Sequence, residues 1–486
     1  MKGDFTRNTF DPGKQYSRVL MQQGRVQLDS DWNEQSSILL HYMRTLARDL
    51  IGPHGAPEQR DDSGAVLPCS SFQVVTRVQD LKDANGTPLA AGDDAFKQFR
   101  TTLADNKDAV AVNPGRYYVD GLLVESTTPR IVEPAANTDG VVVDFLVYLD
   151  VWERHVTCVE DPHIRETALG GPDTTTRTQV VWQVNTCPAD GDSCKLTHVP
   201  VEPGTGLLRA YAGPGPAPST PCVIAPASSY RGAENQLYRV EIHTGGAVGA
   251  ATFKWSRENG SVVFPVVGGP AGANPVDGSA AITVTVATLG RDGDVGLHVG
   301  DWVELLDEDY VMQNRADPLL KVTNIDKDQM KVTLKGTTNV AGDKNQSNML
   351  LRRWDQGSDA VKVTETDAAD ATYSGWIKLE DGIVVCFVKS AANDPARVYR
   401  SGDYWLIPAR VDAGDIEWPR KDGVPQPRPP AGPHHHYAPL AHRNANGLMS
   451  CRRCFPALAI PCPDTGTTNK APSAKKSGAG KKKADG

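Results

Sequence analysis

One segment of this chain carries a helical period, and nearly everything after it breaks into short β-type runs. Trp32, Leu39, Met43, Leu46 and Leu50 recur close to every 3.6 residues, and Gly52-Pro53 ends the pattern. Asp31 with Glu34 three residues on has capping-box spacing, so the helix is expected to open at Asp31. At about 1.5 Å per residue it spans on the order of 30 Å. Ahead of it, Val19, Met21, Val26 and Leu28 flank Gln22-Gln23-Gly24-Arg25, an extended run that turns at a glycine. Downstream, 45 glycines and 35 prolines favour many short strands and turns over long helices.

The expected fold is mainly β: a multi-domain β-sandwich and barrel body with an N-terminal amphipathic helix and an inserted small β-barrel. Residues 1–70 read as arm and helix, and 71–140 as a small hairpin domain with turns at Pro114-Gly115 and Asp120-Gly121. Residues 80–108 are mixed, with a turn at Asn85-Gly86. Residues 141–265 and 346–419 are expected to form the sandwich body, in which Leu237–His243 alternates strictly and Thr252–Phe264 turns as a hairpin at Asn259-Gly260. In 266–345, the runs Ile282–Val286, Asp301–Leu306, Leu320–Thr323 and Met330–Leu334 suggest a small barrel, with Arg352-Arg353-Trp354 returning the chain to the main sheet. Residues 420–464 read as a proline-rich linker and docked segment. Residues 465–486, with six lysines and one aspartate, read as a disordered tail.

The net charge of −8 argues against nucleic acid as a partner, which needs clustered Lys and Arg. Val141–Trp152 is apolar but too short and too acidic to span a bilayer. The charged start lacks the apolar core of a signal peptide, so cytoplasmic synthesis is expected, with release by lysis or a dedicated machine. Nine cysteines without such a leader are expected to be reduced, Cys187 and Cys194 being candidates to pair on oxidation.

Chemistry is sparse. Cys451-x-x-Cys454 with His434 and His436 has zinc-type spacing, yet a structural site usually shows two such pairs. Packing of a docked terminus is the stronger expectation, and no cofactor is expected. Asp150, Glu153, Glu160, Asp161 and Glu166 lie near His155 and His163, as a glycan-cleaving carboxylate pair would require, but nothing fixes their separation. Nucleophile elbow, phosphate loop, dinucleotide fingerprint and His-Glu-x-x-His are all absent, so the chain is not expected to be an enzyme. Trp152, Trp255 and Trp354 each sit beside opposite charges, a composition suited to core edges or subunit boundaries.

The run from Tyr16 through Gln22-Gln23-Gly24-Arg25 to Asp31-Trp32-Asn33-Glu34-Gln35 resembles the N-terminal element of phage-tail structural proteins. More closely it resembles an uncharacterised family encoded with contractile injection systems. Pro114–Leu122 and His434–Ala441 are also similar to that family. The resemblance implies a non-enzymatic baseplate-, fibre- or collar-type subunit, held among other particle subunits as a trimer or larger ring. The residues expected to make the interface are Arg18, Gln23, Arg25, Asp31, Trp32, Asn33, Glu34, Leu39, Met43 and Leu46, with Arg25 paired to Asp31. A module that binds or degrades cell-surface glycan, and a cargo carried by the particle, are the alternatives.

Overall fold

The computed structural model describes residues 1–60, 66–134, 144–191, 193–197, 204–213, 230–291, 293–340, 348–366 and 375–456. The lysine-rich tail lies outside these residues. The fold is mainly β, with three α-helices among the described residues: α1 (Asp29–Ile51), α2 (Asp94–Asp105) and the short α3 (Glu308–Met312). Along the chain run β1 (His54–Pro57), the hairpin β2 (Gly115–Val119) and β3 (Leu122–Ser126), and the long pair β4 (Phe145–Val156) and β5 (Arg177–Pro188). Then come β6 (Leu208–Ala212), β7 (Gln236–Ile242), β8 (Thr252–Ser256), β9 (Val263–Val276) and β10 (Ser279–Val286). They are followed by β11 (Trp302–Leu306), β12 (Leu320–Asp326), β13 (Lys331–Lys335), β14 (Leu350–Trp354), β15 (Ile383–Val388), β16 (Tyr404–Arg410) and β17 (His435–Asn444).

Three β cores form. In the first, the β1-β2-β3 sheet packs on a sheet in which β4 lies between β5 and β17. Asp120 and Gly121 both take positive φ, 47° and 83°, the geometry of a tight hairpin turn, and β3 alternates buried and exposed as a half-buried strand should. Strand β4 is apolar on both faces because both are covered. Val147, Leu149 and Val151 enter the main core, while Leu146 and Tyr148 pack against Cys187 and Cys451. The second core lies between the β8-β7-β16 sheet and the β6-β15 sheet, around Tyr238, Val240, Phe253, Phe387 and Trp405. The third is a closed barrel, ordered β9-β10-β13-β12-β11-β14.

Several boundaries fall elsewhere than the sequence implies. β4 and β5 form with β17, from the far end of the chain, a sheet that packs on the N-terminal β1-β2-β3 sheet and not on the second sandwich. β14 pairs with both β9 and β11 and closes the barrel; it does not return to the main sheet. The Asn259-Gly260 turn forms, with φ of 50° and 65°, but β8 pairs with β7 and β9 with β14, so no hairpin results. Residues 94–105 are helical, with Phe99 buried in a small core of its own. The 420–433 stretch is docked, its Arg428 carbonyl accepting from the Trp405 indole at 2.8 Å.

Candidate functional site

Helix α1 has an unusual surface. It starts at Asp29, whose carboxylate accepts from the Thr6 amide and hydroxyl, while Asp31 sits in the first turn and accepts from the Leu28 amide at 3.3 Å. The expected Arg25–Asp31 pair is therefore not made, and Arg25 is exposed with Arg18, Gln23 and Asn33. The arm runs back along the helix: Thr9 donates to Glu34 at 2.5 Å and the Val19 amide to Gln35 at 2.8 Å. On the body side, Arg44 clamps Glu153 in a two-pronged contact at 3.0 and 2.7 Å. Gly121, at positive φ, lies against the Arg44 backbone where a Cβ would collide.

These tethers hold one side only. Across 23 residues the helix buries just Ser30 and Ile38. Trp32, Leu39, Met43, Leu46 and Leu50 are 70, 53, 67, 60 and 56% exposed. Their steps of seven, four, three and four residues, with Ser36 in the gap, are those of a coiled-coil seam. Leu20, Met21 and Val26 of the arm add exposed apolar surface. Together these side chains leave large apolar groups of the arm and helix exposed on an otherwise folded chain.

The zinc-type cluster is not one. Cys451 is bonded to Cys194 and Cys454 to Cys69, so neither offers a thiolate, and the expectation of reduced thiols and of a Cys187–Cys194 pair is corrected: Cys187 is free and buried. The neighbouring histidines latch β17 in place, His435 on Asp150 at 2.7 Å, His436 on Asp120 at 3.1 Å, and His442 on Asp144. The tryptophan–charge pairs stay inside the molecule: Trp152 stacks on His435 at 4.9 Å, and Lys254 lies 4.5 Å over Trp354.

A cavity of about 550 Å³ opens where the barrel, the β8-β7-β16 sheet and β4 meet, and it gathers a buried charge network with no counterpart among the sequence motifs. Register brings the groups together: Glu241 lies opposite Lys254 and Tyr404, and Glu304 opposite Arg352. Glu241 accepts from Arg239 at 2.6 Å and Lys2 at 2.9 Å; Glu304 accepts from Lys254 at 2.7 Å, Tyr310 at 2.8 Å and Trp354 at 3.0 Å. Burial alone would push Glu304 up, but Lys254, then Lys2 and His243, hold it down at about 2. His155 and His243, sealed in the same region, are pushed down by burial to about 3 and about 4. Of the acidic residues near His155, Asp150, Glu153 and Glu160 line the cavity, whereas Asp161 and Glu166 cap separate turns.

A β-rich molecule with an exposed helical seam and a charged internal junction is thus defined. The chain belongs to a family of unknown function, DUF6519, whose model matches residues 1–202 and 196–468. No curated protein and no solved structure matches it. No helix among the described residues is long and apolar enough to cross a membrane.

Proposed function

We propose that this chain is a non-enzymatic assembly subunit of a phage-tail-like contractile injection particle, joined to further copies of itself through α1. The exposed Trp32–Leu39–Met43–Leu46–Leu50 seam supports the reading, and the resemblance of the opening motif supplies the particle. Fully burying one such side chain is worth about 1.5–3 kcal/mol. Five from each of two or more copies offset the roughly 4–15 kcal/mol that association costs. The seam is fixed to a rigid body by Arg44–Glu153 and Gly121, so the helix is presented in a set direction rather than on a loose arm.

A glycan-cleaving reading finds less support. Asp150 is engaged by His435, Glu153 by Arg44, and Glu160 by the Thr157 amide at 2.8 Å, so each carboxylate facing the cavity from β4 and its following turn already has a partner. The test is co-purification of a tagged chain with contractile particles from cells that produce both. The wild-type chain is expected in the particle at fixed stoichiometry, and L39E/L46E is expected to drop out while keeping its circular dichroism. Purified particles free of the wild-type chain would overturn the proposal.

A further inference from the structure

Arg352 is the odd member of the junction network. It is only 7% exposed and lines the cavity, yet its Nε and Nη1 have no hydrogen-bond acceptor among the described residues. Its neighbour Arg353, on the opposite face of β14, donates to the Gly296 carbonyl at 2.6 Å and the Asp294 carbonyl at 2.7 Å. Glu304 stands across from Arg352 in register but is already taken by three other donors. Glu241 is taken by Arg239 and Lys2, and one oxygen of Glu160 by Thr157. Lys2, Arg239 and Lys254 already engage Glu241 and Glu304, and Asp150 and Glu153 on the cavity wall are taken by His435 and Arg44, which leaves Arg352 without a carboxylate of its own. His155 faces the same cavity with a buried Nε2 that also has no partner.

Two buried guanidinium nitrogens without an acceptor are costly, and they stand beside open volume within the range of small-ligand sites. We infer that the junction cavity binds a small oxyanion-bearing ligand, a carboxylate or a phosphate, held by Arg352 with His155 donating beside it. A planar guanidinium fork matches both kinds of oxyanion. The ligand would tie β14 of the barrel to β4 and β7 of the two sandwiches. The site is independent of the α1 seam, which lies on a different surface, so either proposal can fail alone.

The experiment is calorimetric titration of the purified full chain with sodium phosphate and with citrate, each against sodium chloride at matched ionic strength. Saturable binding at one ligand per chain is expected, weakened at least about tenfold in R352M, as loss of hydrogen bonds to a charged group implies. Binding of phosphate alone assigns a phosphoryl ligand, and of citrate alone a carboxylate; either supports the site. If R352M does not fold, R352K, which keeps the charge but loses the fork, is expected to weaken binding by about the same factor. No saturable heat with either anion, or equal affinity in the wild type and the folded variant, would overturn the inference.

Discussion

Lys254 holds two carboxylates at once, with its Nζ 2.7 Å from Glu304 and 3.4 Å from Glu241, all three side chains buried. Removing one partner of such a group strands the other charge in a place water does not reach. K254M is therefore expected to cost about 3–5 kcal/mol, read from urea denaturation. A loss under about 1 kcal/mol would mean the network relaxes and solvates. The same cluster sets an acid limit. The unfolded chain protonates His155 and His243 as pH drops below 6.5, while the folded chain keeps them neutral down to about 3 and about 4. The stability these two histidines contribute is thus full above 6.5 and is lost as pH falls toward those values. Glu304, ordinarily near 4.5 and held at about 2, adds a loss below pH 4.5 of the same sign. The melting temperature should fall steadily from pH 7 to 4.5, and H155Q/H243Q should flatten that segment; a flat wild-type profile would contradict the assignment. None of this was legible beforehand. The charged residues were visible beside their tryptophans, but the network draws on positions 2, 239–254, 304 and 352–354, which only strand register brings together.

Among the elements, those with a period of their own were readable. The helix was recovered within two residues of its start, and the β2–β3 hairpin with its Asp120-Gly121 turn was recovered as written. What failed was pairing. Alternation says which face of a strand is buried but not which strand lies beside it. Hence β14 joined the barrel, and β17, expected as a docked segment, became a central strand between β4 and Gly447–Ser450. The disulfides follow from that misplacement. Once β17 pairs with β4, the chain just beyond it meets Cys69 and Cys194, partners that sequence spacing could not reveal at separations of 385 and 257 residues. Loops of that size imply a stabilisation of about 2–5 kcal/mol each. C194A is expected to lower the urea midpoint accordingly, and a reductant should lower the wild-type midpoint but leave the midpoint of the double variant C69A/C194A unchanged. Identical wild-type curves with and without reductant would contradict bonded cysteines.

For the whole molecule, three cores share one charged junction, and the N-terminus is threaded into it. Asn259 donates to the Gly3 carbonyl at 2.8 Å, and Arg410 to the Thr6 carbonyl at 2.9 Å. The first seven residues therefore belong to the body, and the surface left for neighbours begins with the arm and α1. That division was half visible: the period of Trp32, Leu39, Met43, Leu46 and Leu50 placed the helix, but composition could not say that its apolar side would remain uncovered by its own β-domain. The exposed seam now makes self-association the claim on which the functional account rests. Sedimentation equilibrium of the full 52.3 kDa chain tests it most directly. The account predicts a trimer or larger ring at micromolar concentration, and a single chain of unchanged secondary structure for L39E/M43E/L46E. A wild-type protein that sediments as one chain across that range, its melting curve unaltered by the three substitutions, would contradict it.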